Sequence, residues 1–264
     1  MPIPLHWHTE PLLLLSLILV GWLYALGIGP FRHYFAQKQP YPLLKGVAFY
    51  SGLIFLYLAV GSPVDQLGED FLFSVHMIQH MLLIYVSPPL FLVGLPHWLI
   101  DPLFKKISIR RIFHFLTHPV SAGILFSLLF ALWHIPVLYE AALRDKAIHV
   151  LEHYLIFFPA LLMWWPILSP SRILPPRNYG VRILYIFLLM VAQLPVFGAL
   201  TLSQEVIYPT YEFAPRIIDI TPLQDQILGG IIMKVTNMLV SLIVLTASFI
   251  YWYRETESQS DSAV

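Results

Sequence analysis

Long apolar runs separated by short polar segments dominate the chain. A helix needs about 20 mostly apolar residues to cross the hydrocarbon core of a bilayer. Runs that meet this requirement lie at 12–29, 46–64, 71–100, 119–139, 147–171, 183–204 and 226–253. They are too long and too continuous for the alternating strands of a membrane barrel. We therefore predict an all-α polytopic membrane bundle with seven transmembrane helices.

The remaining residues offer little material for a second domain. The chain has no internal repeat, and only the polar residues after Tyr253 differ in character from the series of apolar runs. We predict a single transmembrane domain over residues 1–253 and a disordered tail over residues 254–264.

Basic residues concentrate in alternate loops, and this bias orients membrane proteins because Lys and Arg stay on the cytoplasmic side. Eleven of the 15 lysines and arginines fall on one predicted side: Arg32, Lys38, Lys45, Lys105, Lys106, Arg110, Arg111, Arg172, Arg177, Arg182 and Arg254. The opposite loops carry most of the acidic residues. This pattern predicts an outside N-terminus and a cytoplasmic C-terminus.

Composition supports a membrane protein and narrows its chemistry. Charged residues make up 11% of the chain, whereas soluble domains carry roughly 25%. The formal net charge is zero, which gives no electrostatic reason to expect nucleic-acid binding. The chain has no cysteine, so disulfides and thiolate metal sites are excluded. A bound metal would have to use His, Met, carboxylate or backbone oxygen.

Five histidines fall near the predicted outer ends of three spans. His76 and His80 lie in the third span, His134 lies in the fourth, and His149 and His153 lie in the fifth. Each pair is spaced four residues apart, which places both rings on one face of a helix. Ionisable groups inside membrane spans usually serve function. We predict that these imidazoles converge on one metal ion.

Neighbouring side chains refine this hypothesis. Met77 and Met81 follow the first two histidines, and thioether sulfur with imidazole suits Cu(I), although packing is the simpler role for both methionines. Gln79 and Glu152 are placed to orient the rings by hydrogen bonds. Imidazoles alone do not separate copper from zinc, so zinc stays as an alternative.

Other functions fit parts of the pattern. The segment His149 to His153 reads HVLEH and matches the inverted zinc-hydrolase motif, in which the glutamate activates a water. Histidines from facing helices also suit haem, or a hydrogen-bonded scaffold without metal.

Lys234 in the last span suggests a retinal Schiff base, but spans three and four offer no internal carboxylate as counter-ion. We expect Lys234 to reach the outer interface instead.

Several segments resemble the CtaG family of cytochrome c oxidase assembly factors, the multi-span type and not the single-span copper chaperone that shares the name. The matching blocks are HMIQHMLL (76–83), SPPLFLVGLP (87–96), LWHIPVLYEAAL (132–143), HVLEHYLIFFPALLMWWPIL (149–168) and DQILGGIIM (225–233). One departure follows the last block, where Lys234-Val-Thr-Asn237 stands in place of the family's Trp-Val-Pro-Gly.

The resemblance implies a multi-pass protein of the bacterial plasma membrane that is not an enzyme. Its implied role is to help mature the haem–copper oxidase by delivering copper to the CuB centre. The implied partners are the oxidase subunit carrying CuB, an external copper donor and membrane lipid. Carried over residue by residue, the resemblance implies the same five histidines, supported by Gln79, Glu152 and Asp225.

Overall fold

The computed structural model describes residues 6–7, 9–35 and 40–261, and all regular structure within these residues is helical. The helices are α1 (Pro11–Ile28), α2 (Arg32–Phe35), α3 (Leu43–Val60), α4 (Pro63–Asp70), α5 (Phe73–Met81), α6 (Ser87–Gly94), α7 (His97–Ile100), α8 (Ile107–Leu116), α9 (Pro119–Trp133), α10 (Pro136–Arg144), α11 (Lys146–Leu168), α12 (Tyr179–Ala192), α13 (Leu194–Leu202), α14 (Pro209–Phe213) and α15 (Pro222–Asp261). The predicted all-α class is confirmed.

In the part of the chain that the structure describes, six helical segments are long and apolar enough to cross a membrane: Pro11–Ile28, Leu43–Asp70, Phe73–Gly94, Lys146–Leu168, Tyr179–Leu202 and Pro222–Ser258. They correspond to six of the seven predicted spans. The count reaches seven only if α8 and α9, which are bent by 62° at their junction, form one broken span. The predicted span 119–139 is not a continuous helix, because α9 ends at Trp133.

The fourth predicted span is interrupted because α9 ends at Trp133 and a new helix begins at Pro136. Proline lacks a backbone N–H and its ring clashes with the preceding helical turn. The 15 residues of α9 cover only about 22 Å at 1.5 Å per residue. The break leaves His134 at the end of α9, where its side chain is free to turn toward the neighbouring helices.

Two prolines at positions 88 and 89 do not end the third span. A π-helical segment, Leu82–Val86, joins α5 directly to α6, and both prolines occupy the first turn of α6. Proline is tolerated there because first-turn N–H groups need no helical partner. The Trp164 indole donates to the Ile84 carbonyl at 2.8 Å and satisfies one acceptor of the widened turn.

Small residues let the helices approach closely, as is usual in membranes. A methyl group added at Gly94 of α6 would lie 2.6 Å from the backbone nitrogen of Phe49 in α3. One added at Gly229 of α15 would lie 2.5 Å from the Phe73 ring in α5. These contacts fix α3 against α6 and α5 against α15.

The helix ends that carry the five histidines lie together at one end of the bundle, which we call the histidine end. There α3 leads into α4, α5 and α11 begin, and α9 ends. Asp225 of α15 ties this end together, since its carboxylate accepts hydrogen bonds from the backbone N–H groups of Phe73 at 2.8 Å and Ser74 at 3.1 Å. These two donors have no partner inside α5 because they belong to its first turn.

The prediction of a disordered tail from residue 254 is corrected by the structure up to Asp261. The last helix continues through Asp261, and Tyr253 donates from its hydroxyl to the Glu257 carboxylate at 2.7 Å, one turn further on. Residues 262–264 lie outside the described residues. The predicted single-domain boundary and the predicted orientation of the termini stay predictions.

Candidate metal centre

His76 and His80 form the centre of the histidine end. Both side chains project from α5 into the bundle and are completely buried. Their Nε2 atoms lie 2.9 Å apart, close enough for one ring to donate to the other. The four-residue spacing brings the rings onto one face as the sequence predicted.

The second pair, on α11, faces the first. The ring centroids of His149 and His153 are 4.2 Å apart. The His76 centroid is 5.6 Å from that of His149 and 6.4 Å from that of His153. The His80 centroid lies 6.0 Å from that of His153. Four imidazoles from two helices thus form one contiguous group.

His134 joins this group from the break after α9. Its Nδ1 makes a 2.6 Å hydrogen bond with the Phe130 carbonyl, and its ring centroid is 6.2 Å from that of His80. Among the described residues, however, no set of three His, Asp or Glu ligand atoms within 4.8 Å of one another includes His134. We call the five rings together the histidine cluster, with His134 at its margin.

Glu152 adds a carboxylate to the cluster. The side chain is completely buried, and its Oε1 lies 3.7 Å from the Nε2 of His80. Two overlapping groups have all ligand atoms within 4.8 Å of one another: His76, His149 and His153, and His76, His80 and Glu152. Three donors at such separations can converge on one ion with small side-chain shifts.

The cluster contains an excess of buried polar atoms that have no hydrogen-bond partner among the described residues. These atoms are His80 Nδ1, His134 Nε2, His149 Nε2, His153 Nε2, Glu152 Oε1 and Glu152 Oε2. An unpaired buried polar group costs about 1–3 kcal/mol, and more if it is charged. A bound cation would offer a partner to several of them. The donor set of imidazole with one carboxylate fits copper or zinc.

The predicted supporting residues have different roles. The amide nitrogen of Gln79 donates to the Ala59 carbonyl of α3 at 2.9 Å and to the Asp65 carboxylate of α4, so Gln79 ties α5 to these two helices. Asp225 holds the first turn of α5 and thereby sets the position of His76 and His80.

The two methionines contribute packing. Met77 is completely buried against α15, where a methyl group added at Gly229 would lie 3.1 Å from the Met77 Cγ. Met81 is buried in the same apolar core. Their positions support the packing interpretation that the sequence already favoured.

Sequence reasoning missed two carboxylates on α4. The Glu69 carboxylate contacts the Nδ1 of His149, and Asp65 lies beside it with an exposed fraction of 8%. Together with His149 they form a third group whose ligand atoms lie within 4.8 Å. The signal was present in the sequence, because Asp65 and Glu69 have the same four-residue spacing as the histidine pairs. Both follow the predicted span 46–64, which places them in a loop by that prediction.

Three buried tyrosines also escaped the sequence reading. The Tyr211 hydroxyl donates to the Gly68 carbonyl at 2.7 Å and lies 3.4 Å from the Nδ1 of His76 and 3.1 Å from the Tyr139 hydroxyl. The Tyr208 hydroxyl donates to the His134 carbonyl at 2.9 Å. Burial raises the pKa of Tyr211 well above its ordinary value, so this group stays a neutral donor. No periodic pattern marks the loop that carries α14.

Lys234 lies on an exposed face of α15, next to the buried Met233. A retinal Schiff base would have to face the bundle interior. The position of Lys234 therefore agrees with the expectation that it is not a chromophore site.

Comparisons with known proteins agree with the resemblance seen in the sequence. Searches of the curated proteins and of the solved structures gave no match. A family model described as cytochrome c oxidase caa3 assembly factor (Caa3_CtaG) matches residues 22–255, a range that includes all five histidines. The chain therefore belongs to the family of cytochrome c oxidase caa3 assembly factors.

Proposed function

We propose that this assembly factor binds copper at the histidine cluster and passes it to the oxidase subunit that carries CuB. The single observation that carries the proposal is the convergence of buried, unpartnered imidazole nitrogens from α5, α9 and α11. Membership of an oxidase assembly family supports the oxidase as the acceptor. Copper is the cargo in this proposal, and the chemistry is ligand exchange rather than catalysis.

The number of donors suits transfer. Five imidazoles and Glu152 provide more donors than one ion can bind at once, because copper rarely takes more than four strong protein ligands. His134, at the margin of the cluster, has an unpartnered Nε2. Donors in excess let an ion change partners in small steps, and an acceptor's histidines can enter as one donor leaves.

Burial serves the same purpose. His76, His80 and Glu152 are completely buried, so water does not compete for the ion there. The Glu69 side chain is 30% exposed and contacts His149, so it connects the surface with the cluster. We place this end of the bundle on the outer side of a bacterial plasma membrane, as the distribution of Lys and Arg predicts.

The proposal is tested by copper uptake and by oxidase maturation. Full-length protein purified in detergent should bind Cu(I), and His80→Ala should lower copper affinity at least tenfold, because the variant loses a central ligand. In cells lacking the native gene, the same variant should leave caa3 oxidase deficient in copper. The control is His114→Ala, which removes an exposed histidine of α8 far from the cluster.

Each result has a clear meaning. Normal copper affinity and normal oxidase in the His80→Ala strain would reject the proposal. A Soret band in the optical spectrum of the purified protein would reject it in favour of haem binding. Zinc that copurifies and cannot be replaced by copper would favour the hydrolase alternative.

A further inference from the structure

The end of the bundle opposite the histidine end carries a short helix that the proposed function does not use. Helix α8 precedes α9 and is bent from it by 62°, so it does not continue the axis of that helix. None of the ten residues of α8 is buried. If α8 lay within the hydrocarbon, the exposed side chains of Arg110 and Arg111 would face acyl chains, which is costly for a charge. The helix is therefore suited to the membrane surface rather than to the membrane interior.

One side of α8 is apolar and faces two different surroundings. Ile109 and Phe113 pack against the core of the bundle, where the Phe113 ring centroid lies 6.2 Å from that of Trp165. Ile112 and Phe115 have exposed fractions of 58% and 67%. Because a helix has about 3.6 residues per turn, these two side chains adjoin the face that packs on the bundle. The apolar side thus continues from the bundle to the surroundings of the protein, as expected for a helix that lies in a bilayer interface.

The other side of α8 and the two residues before the helix are basic. Four side chains contribute, and all of them are exposed: Lys105, Lys106, Arg110 and Arg111. None of the four pairs with a carboxylate among the residues that the structure describes. The chain has no Asp or Glu between positions 102 and 139, and Asp101 accepts hydrogen bonds from the Ser171 hydroxyl and the Arg172 N–H instead. The four basic side chains are therefore available to an external anion.

These two features together indicate the chemistry of the partner. An apolar side that enters the interface places the basic side chains at the level of the lipid headgroups. Clusters of Lys and Arg beside a membrane-spanning helix attract anionic lipids, and the planar guanidinium group of Arg suits phosphate oxygens. A zwitterionic lipid brings no net charge to this position. An acidic protein segment would leave Ile112 and Phe115 without an apolar partner.

We propose that α8 lies in the bilayer interface, with Ile112 and Phe115 against acyl chains, and that the four basic residues bind the phosphate-bearing headgroups of anionic lipids. The inference goes beyond the proposed function, since it concerns the opposite end of the bundle and involves no metal. It also gives the bend between α8 and α9 a role, because the bend lets α8 follow the membrane surface while α9 enters the bilayer.

Fluorescence quenching by brominated lipids tests the position of α8 in the full-length protein. The chain has no cysteine, so a fluorophore can be attached at one introduced residue. Ser108→Cys places it on the apolar side of α8, and His114→Cys places it on the basic side. In vesicles of phosphatidylcholine brominated in its acyl chains, we expect strong quenching at position 108 and weak quenching at position 114. Equal quenching at the two positions would contradict the interfacial position of α8.

The lipid preference is measured with the fluorophore at position 108. Brominated phosphatidylglycerol should quench it at least about twofold more strongly than brominated phosphatidylcholine at the same mole fraction, because the basic side chains enrich anionic lipid around α8. Arg110→Gln/Arg111→Gln should remove most of this preference. Arg172→Gln/Arg254→Gln is the matched control: it removes the same charge from two exposed positions outside α8 and should keep the preference.

Three results would overturn the inference. Equal quenching by the two lipids would show that α8 has no preference for anionic headgroups. A preference that Arg110→Gln/Arg111→Gln keeps, or that the control loses to the same extent, would show that the basic residues of α8 do not bind the headgroups. Protection of position 108 from both lipids would show that a protein surface, such as a second copy of this chain, covers the apolar side. Size-exclusion profiles matching wild type show that each variant is folded.

Discussion

At the scale of single residues, Glu152 separates the competing interpretations of the histidine end. It is completely buried, it lies 3.7 Å from the Nε2 of His80, and neither of its oxygens has a hydrogen-bond partner among the described residues. A buried carboxylate without a partner is costly. A ligand role predicts that this charge contributes to metal affinity, whereas the hydrolase motif predicts that it acts on water and leaves metal binding unchanged.

We expect Glu152→Gln to weaken copper binding about 10–100-fold, the range typical of residues that support metal sites. The neutral amide keeps the shape of the side chain but loses the charge that faces His80. Competition with a coloured Cu(I) chelator measures the change. Glu205→Gln, at an exposed loop position, is the control. Unchanged affinity in Glu152→Gln would contradict a ligand role and favour the hydrolase interpretation.

The sequence predicted the histidine pairs more readily than the residues around them. The pairs at 76/80 and 149/153 are visible because a four-residue spacing places two side chains on one face of a helix, whatever that helix packs against. Asp65 and Glu69 share that spacing, but they follow the predicted span 46–64, and the prediction therefore places them in a loop. Tyr208 and Tyr211 reach the site through tertiary folding of a short loop, which no local pattern reveals.

At the scale of helices, the contact between α4 and α5 holds the histidine cluster and the carboxylates of α4 in place. Gly68 faces the backbone of His76, with only 2.9 Å between the Cα of His76 and the position of an added methyl group. The Gly68 carbonyl also accepts the Tyr211 hydrogen bond. A side chain at position 68 would push α4 away from α5, and the carboxylates of α4 away from His149.

Gly68→Ala should therefore lower both thermal stability and metal affinity. We expect a loss of about 1–3 kcal/mol, the usual cost of overpacking, measured by thermal unfolding in detergent with and without metal. Gly198→Ala on α13 is a matched control, because an added methyl group meets no atom within 4 Å there. Equal stability of the two variants would show that the close approach of α4 to α5 does not hold the site.

Helix breaks account for most of the difference between the predicted and the observed elements. The apolar pattern located six spans but did not separate a proline that ends a helix from one that the helix accommodates. Pro136 starts a new helix, whereas Pro88 and Pro89 lie in the first turn of α6, which continues directly from the π-helical segment before it. The difference depends on partners such as Trp164, which lie far away in sequence.

At the scale of the whole molecule, the functional account depends on which side of the membrane the histidine end faces. The all-helical bundle followed directly from the length of the apolar runs, because only helices satisfy their backbone in lipid without partner strands. The orientation rests on the distribution of Lys and Arg alone. Metal supplied from outside reaches the cluster only if this end faces outward.

The absence of cysteine from the chain makes the orientation simple to measure. Asp145→Cys, in the connection between α10 and α11, should react with an impermeant maleimide in intact cells. Arg177→Cys, in the connection between α11 and α12, should react only after the membrane is opened. The reverse pattern would place the histidine end in the cytoplasm and would contradict delivery from outside.

X-ray absorption at the copper K-edge of the Cu(I)-loaded protein tests directly whether the buried imidazoles bind one ion together. We expect nitrogen scatterers with the outer-shell signature of several imidazole rings, and a loss of imidazole scattering in His153→Ala but not in His114→Ala. Sulfur scatterers from Met77 or Met81, or a spectrum that His153→Ala leaves unchanged, would show that the buried imidazoles do not bind the ion together.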